Sequence, residues 1–122
     1  MKRLVIAVLP PAVILVAAVL FLASPALAAT CGKASFYCCE HHGRATASGE
    51  IFNQNALTAA VPKRSQFGTY RVTHNGKSVI VRANDTGGFA KYGRVIDLSK
   101  AAFARLAPTS RGVIRVCMER ID

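Results

Sequence analysis

The stretch TYRVTHNGKSVIVRA, residues 69–83, contains the clearest fold signal in the chain. Two runs rich in β-branched and apolar residues, 69–74 and 77–83, flank the dipeptide Asn75-Gly76. Asn-Gly between two such runs is the strongest short-range signal for a β-hairpin. The stretch therefore predicts an antiparallel pair of strands.

Further short elements are predicted on both sides of this hairpin. Ser99 is a plausible N-cap for a short helix over 100–107, which Pro108 ends. Apolar or alternating segments predict four more strands, at 33–37, 56–61, 94–98 and 112–121. About six strands and one helix, with no internal repeat or linker, predict a mainly β fold, a small barrel.

The first residues predict export. Two basic residues precede an apolar run over 4–22, and the small residues Ala26 and Ala28 offer a cleavage site. This layout is typical of a secretory signal peptide, 1–28, followed by one domain, 29–122. An uncleaved membrane anchor is the alternative, because the apolar run could nearly span a bilayer. After cleavage we expect a periplasmic, envelope or extracellular protein without stable membrane association.

The chain is strongly basic, with sixteen Lys and Arg against six Asp and Glu and a formal charge of +10. Loss of Lys2 and Arg3 with the signal peptide would leave +8. An exported domain of this charge should be attracted to anionic cell-wall polymers, although charges that merely solvate the surface remain the alternative. The basic residues are scattered and form no recognised nucleic-acid motif, so no nucleic-acid partner is expected.

All four cysteines lie after residue 28, and an even number in an oxidising compartment predicts two disulfides. They are Cys31, Cys38, Cys39 and Cys117. A ring between adjacent cysteines is strained, so we expect one cysteine of the adjacent pair to join Cys117 or Cys31. The cluster CCEHH, 38–42, lacks the usual ligand spacing, and no metal site is predicted there.

Four blocks in order, GKASFYCCEHHGRATASGEIFN, ALTAA, FGTYRVTHNGKSVIVRANDTGGF and GRVIDLSKAAF, resemble the rare lipoprotein A family of septal lytic transglycosylases. The resemblance covers about residues 32–121. It implies a six-stranded double-psi β-barrel, a fold shared with expansins. We also expect the domain to be a monomer and to need no cofactor. It also implies cleavage of peptidoglycan glycan strands between N-acetylmuramic acid and N-acetylglucosamine, leaving 1,6-anhydro ends.

The family's acidic positions correspond to Asp85 in NDTGGF, Glu50 in ASGE and Asp97 in IDLS. Glycosidic cleavage needs an acid to protonate the leaving oxygen, and a lytic transglycosylase can use one group as acid and then base. We expect Asp85, on a loop between strands, to be that group, with Glu50 and Asp97 in support. The alternatives are turn chemistry for Asp85, a helix cap for Asp97 and a solvated loop acid for Glu50.

The resemblance also implies residues that contact the glycan, although Thr86, Gly88 and Phe36 replace the family's usual Arg, Pro and Trp. The histidine that usually follows LTAA is absent, since Val61 and Pro62 stand there. This gap keeps open a rival function, either a non-catalytic, expansin-like wall-binding module or an exported barrel that binds a protein. The expected substrate-binding residues are Tyr37, His42, Thr58, Gly87 and Phe89.

Overall fold

The computed structural model describes residues 29–122, so the predicted signal peptide lies outside the described residues. The strands are β1 (Thr30–Tyr37), β2 (Thr58–Val61), β3 (Gly68–His74), β4 (Lys77–Thr86), β5 (Arg94–Ser99) and β6 (Ile114–Arg120), and the helix α1 is Lys100–Leu106. The strands close into a barrel in the order β1-β5-β2-β4-β3-β6. The predicted mainly β barrel of six strands is confirmed. In the described part, no helix is long and apolar enough to cross a membrane.

The predicted hairpin is confirmed as β3 and β4, which pair antiparallel through a two-residue turn. Asn75 and Gly76 have φ angles of 45° and 78°, the left-handed values that such a turn requires and that Asn and Gly adopt most readily. Two further pairs join strands that are distant in the sequence. β1 pairs parallel with β5, and β2 pairs parallel with β4.

The barrel interior is filled by apolar side chains that alternate along the strands. In β2, Ala59 and Val61 belong to this core, whereas Ala60 lies on the outer face. Helix α1 closes the barrel near β1, where the Phe103 ring lies 4.8 Å from the ring of Phe36. Ser99 is the N-cap, as predicted, because its side chain accepts a hydrogen bond from the backbone N–H of Ala102.

Two strand pairs shift register by one residue. Between β1 and β5, Lys33 pairs with Arg94 but Ala34 pairs with Ile96, so Val95 is extra. Between β2 and β4 the same shift makes Asn84 extra (Ala59 with Ala83, then Ala60 with Asp85). Each extra residue moves the following side chains to the opposite face of the sheet.

The predicted disulfide pairing is wrong. Cys31 bonds to Cys117, and Cys38 bonds to its neighbour Cys39. Cys31 and Cys117 face each other across β1 and β6 with 4.0 Å between their Cα atoms. Cys38 follows the far end of β1, about 23 Å away at the usual rise per strand residue. Neither member of the adjacent pair can reach the other cysteines, so these two bond to each other despite the unfavourable ring.

Candidate functional site

Two carboxylates flank Ala60 on the outer face of the barrel. Ala60 pairs with Asp85 of β4 on one side and with Asp97 of β5 on the other. Register partners project from the same face of a sheet, and neighbouring strands lie about 4.8 Å apart. The Cα atoms of the two aspartates are therefore about 9–10 Å apart. The small side chain of Ala60 leaves a shallow floor between them, which we call the acid groove.

Asp97 is half-buried and hydrogen-bonded. Its Oδ1 accepts a hydrogen bond of 2.9 Å from the hydroxyl of Ser35. Burial raises the pKa of Asp97, whereas the Ser35 hydrogen bond and the positive charges of Arg94 and His41 act in the opposite direction. The helix-cap alternative for Asp97 is wrong, because Ser99 caps α1. A carboxyl group whose pKa is raised by burial is suited to donate a proton.

Asp85 is the penultimate residue of β4, not part of a loop between strands as expected. Its Oδ1 accepts backbone N–H bonds from Ala47 at 2.9 Å and from its neighbour Thr86 at 2.8 Å. Only the bond from Thr86 is the local kind expected if Asp85 merely formed a turn. The bond from Ala47 ties the 44–50 segment to the acid groove. Two backbone N–H donors on one oxygen therefore hold the Asp85 side chain in place.

Tyr37 places its hydroxyl group near both aspartates. Burial raises the pKa of Tyr37, and the negative charges of Asp85 and Asp97 raise it further. The ring stacks on Phe52 with 4.4 Å between centroids and meets His41 edge-on at 5.9 Å. The buried hydroxyl makes no well-formed hydrogen bond to any described residue. Tyr37 is therefore a neutral hydrogen-bond donor held at the edge of the acid groove.

Gly87 and Phe89 pack against each other next to Arg94. Phe89 is only 5% exposed, so its ring offers little surface to a sugar. A Cβ atom on Gly87 would lie 2.7 Å from that ring, which explains the glycine. The guanidinium of Arg94 lies above the same ring, 5.3 Å from its centroid. Phe89 thus packs between Gly87 and Arg94.

Glu50 lies at the edge of the site and is engaged elsewhere. Its two carboxylate oxygens accept bonds of 2.8 and 2.9 Å from the guanidinium of Arg82. These hydrogen bonds, with a further one from Asn84, lower the pKa of Glu50. Glu50 is thus more than a solvated loop acid, but it is ionised and paired, and these contacts suit it to position a loop.

Two of the expected binding residues have structural contacts. His42 accepts the backbone N–H of Gln54 on its Nδ1 at 3.2 Å and so braces the turn after β1. Thr58 is buried in β2, and its backbone N–H lies 3.4 Å from the hydroxyl of Ser99. Val61, at the family's histidine position, is fully buried in the barrel core, whereas the following Pro62 lines a surface cavity.

Cavities lie beside the acid groove on several sides. One of about 340 Å³ is lined by Tyr37, His41 and the Cys38–Cys39 pair. Another of about 340 Å³ is lined in part by Arg94 and Pro62. Neither cavity is lined by Asp85 or Asp97, which are both half-buried. An extended polymer could therefore pass over the carboxylates with neighbouring units in the two cavities.

Ser35, Arg94 and His41 belong to the site but were not predicted. Ser35 lies two residues before Tyr37 and so shares its face of β1, a signal available in the sequence. Arg94 lies three residues before Asp97, and regular alternation would place the two on opposite faces. The register shift at Val95 brings them together.

Comparison with known proteins agrees with this geometry. The family described as lytic transglycolase, with a double-psi β-barrel, matches residues 29–118. A Synechocystis protein named "Probable endolytic peptidoglycan transglycosylase RlpA" is 50% identical over 94 residues, which are 75% of this chain and 29% of that protein. The chain thus spans less than a third of that relative.

Solved structures show the same barrel. The Streptomyces papain inhibitor superposes with a TM-score of 0.66 and 25% identity over 80% of this chain and 98% of that one. An expansin from Clavibacter michiganensis superposes with a TM-score of 0.65 and 21% identity over 78% of this chain and 51% of that one. These matches confirm the double-psi β-barrel. From the family match, this chain belongs to the lytic transglycolase family.

Proposed function

We propose that this protein is exported to the cell envelope and cleaves peptidoglycan glycan strands between N-acetylmuramic acid and N-acetylglucosamine, leaving 1,6-anhydro ends. The observation that carries the proposal is the pair of carboxylates on either side of Ala60, of which Asp97 is half-buried and has a raised pKa. The name of the Synechocystis relative supports the substrate class.

Asp97 exchanges the proton in this mechanism. It donates its proton to the glycosidic oxygen as the bond from that oxygen to C1 of muramic acid breaks. The ionised Asp97 then takes the proton from the 6-hydroxyl of the same sugar as that oxygen bonds to C1. The 6-hydroxyl is an internal nucleophile, so no water is consumed and Asp97 regains its proton.

Asp85 and Tyr37 assist without exchanging the proton. The sequence pointed to Asp85 as the acid, but its Oδ1 already accepts two backbone N–H bonds, which fix this carboxyl group in place. A carboxylate on the far side of Ala60 can stabilise the positive charge that develops at C1. The hydroxyl of Tyr37 can donate a hydrogen bond to a sugar oxygen between the two acids.

Glu50 positions the loop over Asp85. Its ion pair with Arg82 and its bond from Asn84 fix the end of the 44–50 segment. The backbone N–H of Ala47, in the same segment, bonds to Asp85. Glu50 therefore acts on the reaction through the orientation of Asp85. We propose further that residues 1–28 direct export and that the domain acts as a monomer.

The test is incubation of the purified protein with peptide-free glycan strands, with mass spectrometry of the products. We expect 1,6-anhydro ends from the wild type and loss of at least about a hundredfold in rate for Asp97→Asn, since general acid–base catalysis contributes about that much or more. Glu119→Gln is the matched control. This acid lies in β6 and pairs with Arg71 of β3, away from the strands β4, β2 and β5 that carry the acid groove. Full activity of Asp97→Asn would contradict the proposal.

Binding without cleavage is the second candidate function. The absence of a histidine at Val61 favours it, and so does the papain inhibitor, whose whole chain has this fold. The same assay separates the two. Strands that are retained by the protein but release no anhydro product would indicate a wall-binding module. Inhibition of papain at micromolar protein without any binding to strands would indicate a protease-binding barrel.

A further inference from the structure

A chain of hydrogen bonds runs from Arg94 to Asp97. The Nη1 atom of Arg94 donates to the hydroxyl oxygen of Ser35 at 2.8 Å, and this hydroxyl donates to Oδ1 of Asp97 at 2.9 Å. A guanidinium has five N–H donors and no acceptor. Ser35 must therefore accept from Arg94, and its one hydrogen remains available for Asp97.

The reverse orientation of the Ser35 hydroxyl is unfavourable. If Oδ1 of Asp97 carried the proton and donated it to Ser35, the hydrogen of Ser35 would need another acceptor. Ser35 is 6% exposed, and its hydrogen-bond partners among the described residues are Arg94 and Asp97 alone. Leaving a buried hydroxyl hydrogen unpaired lowers the population of that arrangement about tenfold or more.

Arg94 is held in place from the other side. Its guanidinium lies 5.3 Å from the ring centroid of Phe89 and 5.8 Å from that of Tyr92. The extra residue Val95 places Arg94 on the same face as Ser35 and Asp97. The donor at the head of the chain is therefore fixed by packing and by strand register, which limits its freedom to turn away.

We propose that Arg94, acting through Ser35, confines the exchangeable proton of Asp97 to Oδ2, the oxygen that Ser35 does not contact. Arg94 and Ser35 are then positioning residues, and Oδ2 is the atom that exchanges a proton with the glycan. The inference deepens the proposed function and rests on it for its meaning in catalysis. The placement of the proton can be tested without any glycan.

Several charged groups face Asp97, and their effects on its titration must be distinguished from that of the Arg94–Ser35–Asp97 hydrogen bonds. His41 comes from the turn after β1, Asp85 from β4 and Arg94 from β5 itself, and the hydroxyl of Tyr37 approaches from β1. Arg94 could act through space as a positive charge or through Ser35 as a donor. A double-mutant cycle distinguishes the two, because only the second route disappears when Ser35 is removed.

The experiment is a carboxyl ¹³C NMR titration of Asp97 in the full protein. The variants are Ser35→Ala, Arg94→Met and the double variant, with Ser35→Thr as the control that keeps the hydroxyl. We expect each single variant to move the Asp97 midpoint to higher pH and Ser35→Thr to keep it near wild type. In the Ser35→Ala background, Arg94→Met should add much less than it does alone. If Arg94→Met moves the Asp97 midpoint by the same amount in the wild type and in the Ser35→Ala background, the proposal is overturned.

A second measurement uses the wild type and does not depend on variants that fold. The Ser35 hydroxyl proton should give a slowly exchanging resonance with a contact to Asp97 both below and above the Asp97 midpoint. Reorientation of this hydroxyl when Asp97 gains its proton would overturn the proposal.

Activity gives a separate readout. If the wild type cleaves strands, Ser35→Ala should lower kcat about twofold with little change in KM, because the fraction of Asp97 protonated on Oδ2 falls from about nine-tenths to about one-half, and Ser35→Thr should restore it. If the wild type releases no anhydro ends but the titrations agree, the proposed function falls while the proton placement stands.

Discussion

Removal of the Cys31–Cys117 disulfide should destabilise the domain far more than removal of the other bridge. The bond joins residues 86 positions apart. Closing a loop of that length removes about 15 cal/mol/K of entropy from the unfolded chain, or about 4.6 kcal/mol at 25 °C. A domain of this size is stable by only about 5–15 kcal/mol, so Cys31→Ala/Cys117→Ala should be marginally folded.

The Cys38–Cys39 bond is the matched control, because it joins neighbouring residues and constrains almost none of the unfolded chain. Its removal as Cys38→Ala/Cys39→Ala should cost about 1 kcal/mol or less. Urea unfolding followed by circular dichroism measures both. For Cys31→Ala/Cys117→Ala the midpoint should fall by at least about 1.5 M, taking the upper end of typical m-values. Equal losses from the two double variants would refute the assignment of pairs or the loop argument.

Four further outcomes are expected. Burial raises the pKa of Asp97, so the folded state holds this proton more tightly than the unfolded chain, and its contribution to stability is present below about pH 3.9 and lost as pH rises through the folded-state value. Thermal midpoints should therefore show Asp97→Asn gaining relative to wild type between pH 3 and pH 7, and a constant difference would contradict this. Gly87→Ala should cost about 1–3 kcal/mol in urea unfolding because its Cβ would displace the Phe89 ring, whereas Gly88→Ala, which meets no atom within 4 Å, should cost little. Glu50→Gln should leave the thermal midpoint almost unchanged, because its ion pair is exposed, and a large fall would show that the pair does more than position a loop. Binding to peptidoglycan sacculi should weaken across a salt series because of the basic charge of the chain, and flat binding at high salt would assign retention to the acid groove alone.

Local signals predicted the elements well. The Asn75-Gly76 turn, the Ser99 cap and the alternation of the last strand depend on neighbouring residues, and each is found where it was expected. The sequence predicted a strand that ends at Ala83 and so placed Asp85 on a loop, but pairing with β2 extends β4 through Thr86. The length of β4 is therefore set by its pairing with β2, which the sequence around Asp85 does not reveal.

The disulfides and the hydrogen-bond chain from Arg94 to Asp97 depend on which residues the barrel brings close together in space. Ring strain alone disfavoured the Cys38–Cys39 bond, and only the antiparallel register of β1 and β6 shows that Cys31 and Cys117 are already neighbours. Similarly, Asp97 was identified by its motif, but the contacts that distinguish it from Asp85 come from Ser35, on another strand. Motifs thus located the acids, and the contacts that differ between them come from tertiary pairing.

Each of the two register shifts decides which face of the sheet the side chains after it occupy. Ala83 faces the core and Asp85 the groove only because one extra residue, Asn84, separates them, and Val95 does the same for Arg94 and Asp97. What matters at Val95 is therefore the count of residues more than the identity of the side chain. Conservative replacement of Val95 can leave the groove intact, while deletion of that single residue would turn either Arg94 or Asp97 toward the apolar interior. Variation in this family is thus expected to tolerate exchange at such positions far better than a change in length.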